Sequence, residues 1–249
     1  MDDAELDAIR ARRWRLFATT LMLLVVAGGL ALALGAFGGD GKKGTASANG
    51  VRGAKEVSAL LRGVPQDGLV LGRPDAPATI TVFADLHCPH CRDAFTGGDF
   101  REVVDRVVRP GKANLRLALI ALPGFGENSA QGRVAVTGLA PRDRAWTTAL
   151  MLWFNQGAPG GPWIGDGLLR RIAEVGPGLR GVPLRMAPTV DGRRIADETD
   201  ALRDRLDVDG TPAWFVRARG SSDEREIDVN RLGGSAGAIE SAVRDATGG

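Results

Sequence analysis

The chain has only two cysteines and two histidines, and all four stand together as His87-Cys88-Pro89-His90-Cys91. A β-branched run, Ala78-Thr79-Ile80-Thr81-Val82-Phe83-Ala84, leads into them, and helical character follows through Phe95. Two thiols at i and i+3, just after a strand and at a helix start, can do redox chemistry. The positive end of the helix dipole and its free N–H groups stabilise a thiolate, so Cys88 should titrate below a free thiol. Cys91 lies one turn further in, within reach of a disulfide with Cys88. Pro89 suits a first-turn position, where its missing N–H is no loss. His90 brings a ring N–H, or a positive charge when protonated, beside the sulfurs.

Three other readings use the same residues. A disulfide closing so short a loop would restrain the unfolded chain little. Inert core thiols fit poorly beside histidine and proline at a helix start. A metal site could draw on His87, Cys88, His90 and Cys91, but five adjacent residues wrap a tetrahedral ion badly, and zinc sites normally combine two separated pairs. The redox reading is the stronger, and no metal is expected.

The elements that position these residues read as a mixed α/β domain. Val57, Leu60 and Leu61 mark a short helical face, and Gly72-Arg73-Pro74-Asp75-Ala76-Pro77 is turn chemistry. After the cysteines, helical character returns from Phe100 to Val108 and ends at Pro110-Gly111. Residues 115–122 are nearly all apolar, as in a buried parallel strand. Three helix-period stripes follow. The first carries Trp146, Ala149, Leu150, Trp153 and Phe154, and its tryptophans read as core; the second carries Leu168, Leu169, Ile172 and Ala173; the third Ile195, Thr199, Leu202 and Leu206. Ala213-Trp214-Phe215-Val216 is a strand, residues 226–229 its hairpin partner, and Ser235 could cap a last helix with Ile239, Ala242, Val243 and Ala246 inward.

Residues 16–39 carry no charge, and four arginines precede them: Arg10, Arg12, Arg13 and Arg15. A helix of about 20 apolar residues spans a bilayer. The run is longer than a signal-peptide core, and the arginines place residues 1–15 in the cytoplasm and the rest of the chain outside. Residues 16–37 are therefore expected to be an uncleaved transmembrane anchor, residues 38–55 a flexible Gly/Ser/Lys linker, and residues 56–249 one folded domain. Thirty-two basic residues against 30 acidic ones give a net charge of +2, which argues against a nucleic-acid partner. A 44% hydrophobic and 25% charged composition excludes wholesale disorder.

Phe83-Ala84-Asp85-Leu86-His87-Cys88-Pro89-His90-Cys91 resembles the active-site segment of the DsbA-like branch of the thioredoxin superfamily. Leu71-Gly72-Arg73-Pro74-Asp75-Ala76-Pro77 resembles that branch's lead-in, and Gly210-Thr211-Pro212-Ala213-Trp214-Phe215-Val216 its cis-proline signature. The resemblance implies a thioredoxin fold with a helical insertion at about residues 125–207, following the N-terminal anchor. It implies Cys88 as nucleophile, Cys91 as resolving thiol, Pro89 and His90 as modulators, and a cis Pro212. Thr211 could then pair its backbone with a substrate peptide. The function implied is a cofactor-free thiol–disulfide oxidoreductase outside the cytoplasm. It would oxidise cysteines of exported proteins and be reoxidised by a membrane redox partner; a reductase or isomerase of the same fold is the alternative. One departure stands out: many relatives carry a buried acid six residues before the nucleophile, and here that residue is Val82. Asp85, the nearest acid, reads as a solvated loop residue. Cys88 is expected at the surface, with Cys91 shielded behind the first helical turn.

Overall fold

A computed structural model describes residues 50–229 and 235–248. The segment read as a membrane anchor lies outside the described residues; among these, no helix is long and apolar enough to cross a membrane.

Among the described residues the sheet has six strands in the order β1-β2-β4-β3-β5-β6. Its centre is β3 (Ala78–Ala84), which pairs in parallel with β4 (Asn114–Leu119) and antiparallel with β5 (Ala213–Ala218). The short strands β1 (Gln66–Asp67) and β2 (Val70–Leu71) form a hairpin on one edge, and β6 (Arg225–Glu226) covers the other. The β1–β2 hairpin has no counterpart in the sequence reading, because two-residue strands show no period. The same limit explains β6, which occupies Arg225–Glu226 and not residues 226–229.

Strand β3 runs into helix α2 (Pro89–Thr96), then α3 (Gly98–Val103) and a π-helical turn (Val104–Val108) that leads to β4. This is the expected βαβ unit. With both faces of β3 covered, six of its seven residues are buried, which is why it reads as a continuous apolar and β-branched run. The block of helices follows: α4 (Gly126–Thr137), α5 (Ala145–Phe154), α6 (Asp166–Val175) and α7 (Val190–Arg205). Gly192 lets α4 and α7 close up, since a Cβ there would lie 2.3 Å from the Val134 carbonyl oxygen. Arg133 then donates twice to the Asp200 carboxylate across that contact, at 2.7 and 2.9 Å. Helix α8 (Ser235–Thr247) ends the fold, with Ile239 and Val243 in the core.

Trp146 and Trp153 of α5 are fully buried, as their helical spacing predicts. Phe95 of α2 stacks on Trp153 with ring centroids 4.1 Å apart, and Phe100 of α3 stacks on Trp146. These pairs fix the cysteine-bearing helix against the insertion. Packing begins earlier than the boundary read at residue 56. Helix α1 spans Ala54–Leu61, Val51 is buried, and Asn155 binds both the N–H and the carbonyl of Arg52. Gly53 has φ +87°, and a Cβ there would lie 2.3 Å from the Phe154 ring. A Gly- and Lys-rich composition conceals this contact because a glycine chosen for close approach looks like a linker glycine.

Candidate active site: a buried dithiol at the start of helix α2

Cys88 is the N-cap of α2 and Pro89 its first residue, as the motif predicts. Both cysteines are free thiols. The backbone N–H groups of His90 and Cys91 and the Cys91 side chain turn toward the Cys88 sulfur, with the Cys91 side chain the largest contribution. They outweigh burial and hold the Cys88 pKa down at about 5. Burial is the largest influence on Cys91 and, with the neighbouring Cys88 sulfur, pushes its pKa well above the ordinary range. The pair is thus divided into a ready thiolate and a reluctant thiol.

Cys88 is less open than expected: it is 3% exposed, against 0% for Cys91. The reason is the loop that precedes β5. The Thr211–Pro212 bond is cis, and the Cys88 thiol donates to the Thr211 carbonyl at 3.3 Å. The Thr211 hydroxyl is buried, has no other partner and lowers the pKa of both sulfurs. The structure therefore brings Cys88, Pro89, His90, Cys91, Thr211 and Pro212 together. The His90 ring is exposed, and it is the His90 backbone N–H that acts on Cys88.

Asp85 corrects the sequence reading. It is fully buried and not solvated. One carboxylate oxygen accepts from the His87 N–H at 2.7 Å and the Ser129 hydroxyl at 2.8 Å, and the other accepts from the Leu122 N–H at 2.7 Å. Two of these partners are remote in sequence, so no local pattern announces them. Val82 is buried between Leu117 and Trp214 in the sheet and offers no proton acceptor. The groups that act on the Cys91 thiol are Cys88, the Thr211 hydroxyl and the Asp85 backbone N–H; no carboxylate is among them.

His87 is also buried, and its nitrogens are both engaged. Asn128 accepts from the Ile164 N–H and donates to the Ile164 carbonyl, which fixes its oxygen toward His87. His87 Nε2 must then donate to that oxygen at 3.2 Å, leaving Nδ1 to accept from the Trp163 indole N–H at 3.2 Å. Burial lowers the His87 pKa against the opposing pull of Asp85 and Asn128. A neutral imidazole with both nitrogens bonded has no lone pair left for an ion, which argues against a metal site built on His87, Cys88, His90 and Cys91. Among the described residues no group of three or more His, Cys, Asp or Glu could hold one.

Three further residues escaped sequence reasoning: Gln156, Trp163 and Asn128. Gln156 donates to the carbonyls of Leu86 at 2.8 Å and Cys88 at 3.0 Å. Trp153 donates to the Asp85 carbonyl at 3.2 Å. Nothing in the local sequence marks these as site residues, because they reach the cysteines through tertiary contacts of the insertion.

Comparison with known proteins agrees with the fold. A family model described as Thioredoxin matches residues 65–160. Disulfide bond formation protein D of Bacillus subtilis (strain 168) is 23% identical over 150 residues, which are 59% of this chain and 66% of that protein. The chain thus spans just under two thirds of the length of that relative. Oxidised BdbD from Bacillus subtilis superposes with a TM-score of 0.54 at 18% identity, over 75% of this chain and 98% of that one. A thioredoxin-like oxidoreductase from Silicibacter pomeroyi gives 0.52 at 22% identity, over 77% and 98%. The fold is thioredoxin-like. It carries the helical insertion between β4 and β5.

Proposed function

We propose that this chain is a thiol–disulfide oxidoreductase that oxidises cysteine pairs in exported proteins through the Cys88–Cys91 disulfide. The observation that carries the direction is the Cys88 thiolate, with a pKa of about 5. A stabilised thiolate favours the reduced enzyme and so makes its disulfide an oxidant. That pKa falls between the ~7 of thioredoxin and the ~3.5 of DsbA.

The steps balance without a cofactor. A substrate thiolate attacks the Cys88 sulfur; the Cys88–Cys91 bond breaks, and Cys91 leaves and takes up a proton. A second substrate thiolate attacks the substrate sulfur of the mixed disulfide and expels Cys88, which leaves readily because its thiolate is stable. Two electrons pass from substrate to enzyme, and a membrane redox partner is proposed to remove them. Thr211 supplies the edge on which a substrate backbone would pair beside the cis Pro212. The apolar residues 16–37 and the arginines before them support a single-pass anchor with this domain outside the cytoplasm.

Equilibration of the chain with glutathione tests the direction. The reading expects a reduction potential on the oxidising side of about −200 mV, between the ~−120 mV of DsbA and the ~−270 mV of thioredoxin. A value near the lower limit would make the chain a reductase.

A further inference from the structure

Asp85 is the only fully buried acidic residue among the described residues, and exchange between the two thiols does not require it. Its backbone and side chain nonetheless organise the approach to Cys88. Its carboxylate accepts the His87 N–H, and its carbonyl accepts the Cys88 N–H at 3.2 Å, so Asp85 sets both turns that deliver Cys88 to the helix start. The same carboxylate binds the Leu122 N–H just beyond β4 and the Ser129 hydroxyl on α4, and Trp153 of α5 binds its carbonyl. Five hydrogen bonds from four separate parts of the chain therefore meet at one residue, three positions before the nucleophile. All three side-chain partners donate, which suits a carboxylate and leaves an amide with one mismatched N–H.

We propose that Asp85 is a positioning residue for the dithiol, its carboxylate clamping the turn before Cys88 to α4 and to the end of β4 so that the first N–H groups of α2 stay aimed at the Cys88 sulfur. The inference rests on the oxidoreductase reading for its consequence but on the hydrogen-bond geometry for its substance. A donor set holds a thiolate only while its direction is fixed. Loosening the turn should cost the thiolate more than the thiol, which needs no donors.

The test compares the full chain with Asp85→Asn and with Ser129→Ala, which removes one partner and leaves the carboxylate. Three quantities are read: circular dichroism in both redox states, the pH midpoint of Cys88 from its ultraviolet thiolate absorbance, and the equilibrium with glutathione. Asp85→Asn should raise the midpoint by about one pH unit and move the equilibrium about tenfold toward the disulfide. Ser129→Ala should move both in the same direction by a smaller factor. Folded variants with wild-type midpoint and equilibrium would overturn the proposal and leave Asp85 as a staple of the fold. If Asp85→Asn does not fold, Ser129→Ala decides alone. If the wild-type chain does not exchange with glutathione, the functional reading fails, while the shift in the Cys88 midpoint still judges the clamp.

Discussion

The two loops that meet at the Cys88 sulfur are built in opposite ways. The one before α2, residues 85–88, is pinned from the insertion side: Trp153 holds the Asp85 carbonyl, Gln156 holds those of Leu86 and Cys88, and Ser129 and Leu122 hold the Asp85 carboxylate. The one before β5 has fewer ties, among them the Cys88 thiol on the Thr211 carbonyl. Gly210 has no atom beyond its chain neighbours within 4 Å of where a Cβ would stand, Asp207 adopts φ 53°, and the buried Thr211 hydroxyl has no hydrogen-bond partner. The difference separates two tasks. A nucleophile's titration depends on fixed donors, so its loop is over-determined; under the proposed function the facing loop would receive a substrate backbone, a task that fewer internal ties would suit.

Cys88→Ser should break the comparison most completely. Exchange should fall to the uncatalysed background, because the one activated thiol is gone while both loops remain. Cys91→Ser cannot form the internal disulfide and should lose oxidation of substrate thiols. Its Cys88 thiolate should still attack the disulfide of an oxidised substrate, expel one sulfur as a thiolate and accumulate as a mixed disulfide, seen as a higher-mass species that reductant removes. Adducts at Cys91 in the Cys88→Ser variant would reverse the roles assigned to the two thiols.

Acid sharpens the same contrast. The Cys88 pKa is depressed to about 5 in the folded protein, so its thiolate contributes stability to the reduced form that is complete above the ordinary thiol pKa. That contribution should be lost as pH falls, by about 1.4 kcal/mol per pH unit through the window from ~8.5 to ~5, and be absent below it. Cys91, with its pKa raised, acts in the other direction only above the ordinary thiol range. Denaturant melts of reduced and oxidised protein across this window would show the two curves converging toward pH 5. Parallel curves would remove the thiolate from the account.

Smaller effects distinguish the loops by stability. Gln156→Leu leaves the Leu86 carbonyl without its donor and should cost about 1–3 kcal/mol in a urea melt. Trp163→Phe removes the donor to His87 Nδ1 and should cost about 1 kcal/mol. Gly210→Ala, on the side with fewer ties, should stay within about 0.5 kcal/mol of wild type. A Gly210→Ala loss as large as that of Gln156→Leu would mean that the second loop is also clamped.

Much of this was legible in the residues, and what was not has a common cause. The cysteine pair, the strand before it and the helix after it are local patterns, and local hydrophobic periodicity places them correctly. The tryptophans at helical spacing were readable as core for the same reason. Asp85, Gln156, Asn128 and Trp163 were not readable, because their partners lie 36 to 76 positions away. The near-complete burial of Cys88 was equally hidden, since the covering loop arrives 123 residues later. Spacing shows where a thiol sits on its own element, and only the tertiary fold shows what leans over it.

The central claim is that this fold holds Cys88 as a thiolate at neutral pH. Titration of the reduced protein by ultraviolet thiolate absorbance, with Cys88→Ser as the blank, tests it most directly. The account predicts a single transition belonging to Cys88 with a midpoint near pH 5 and none from Cys91 in the same range. A Cys88 midpoint near that of a free thiol, about 8.5, would contradict it.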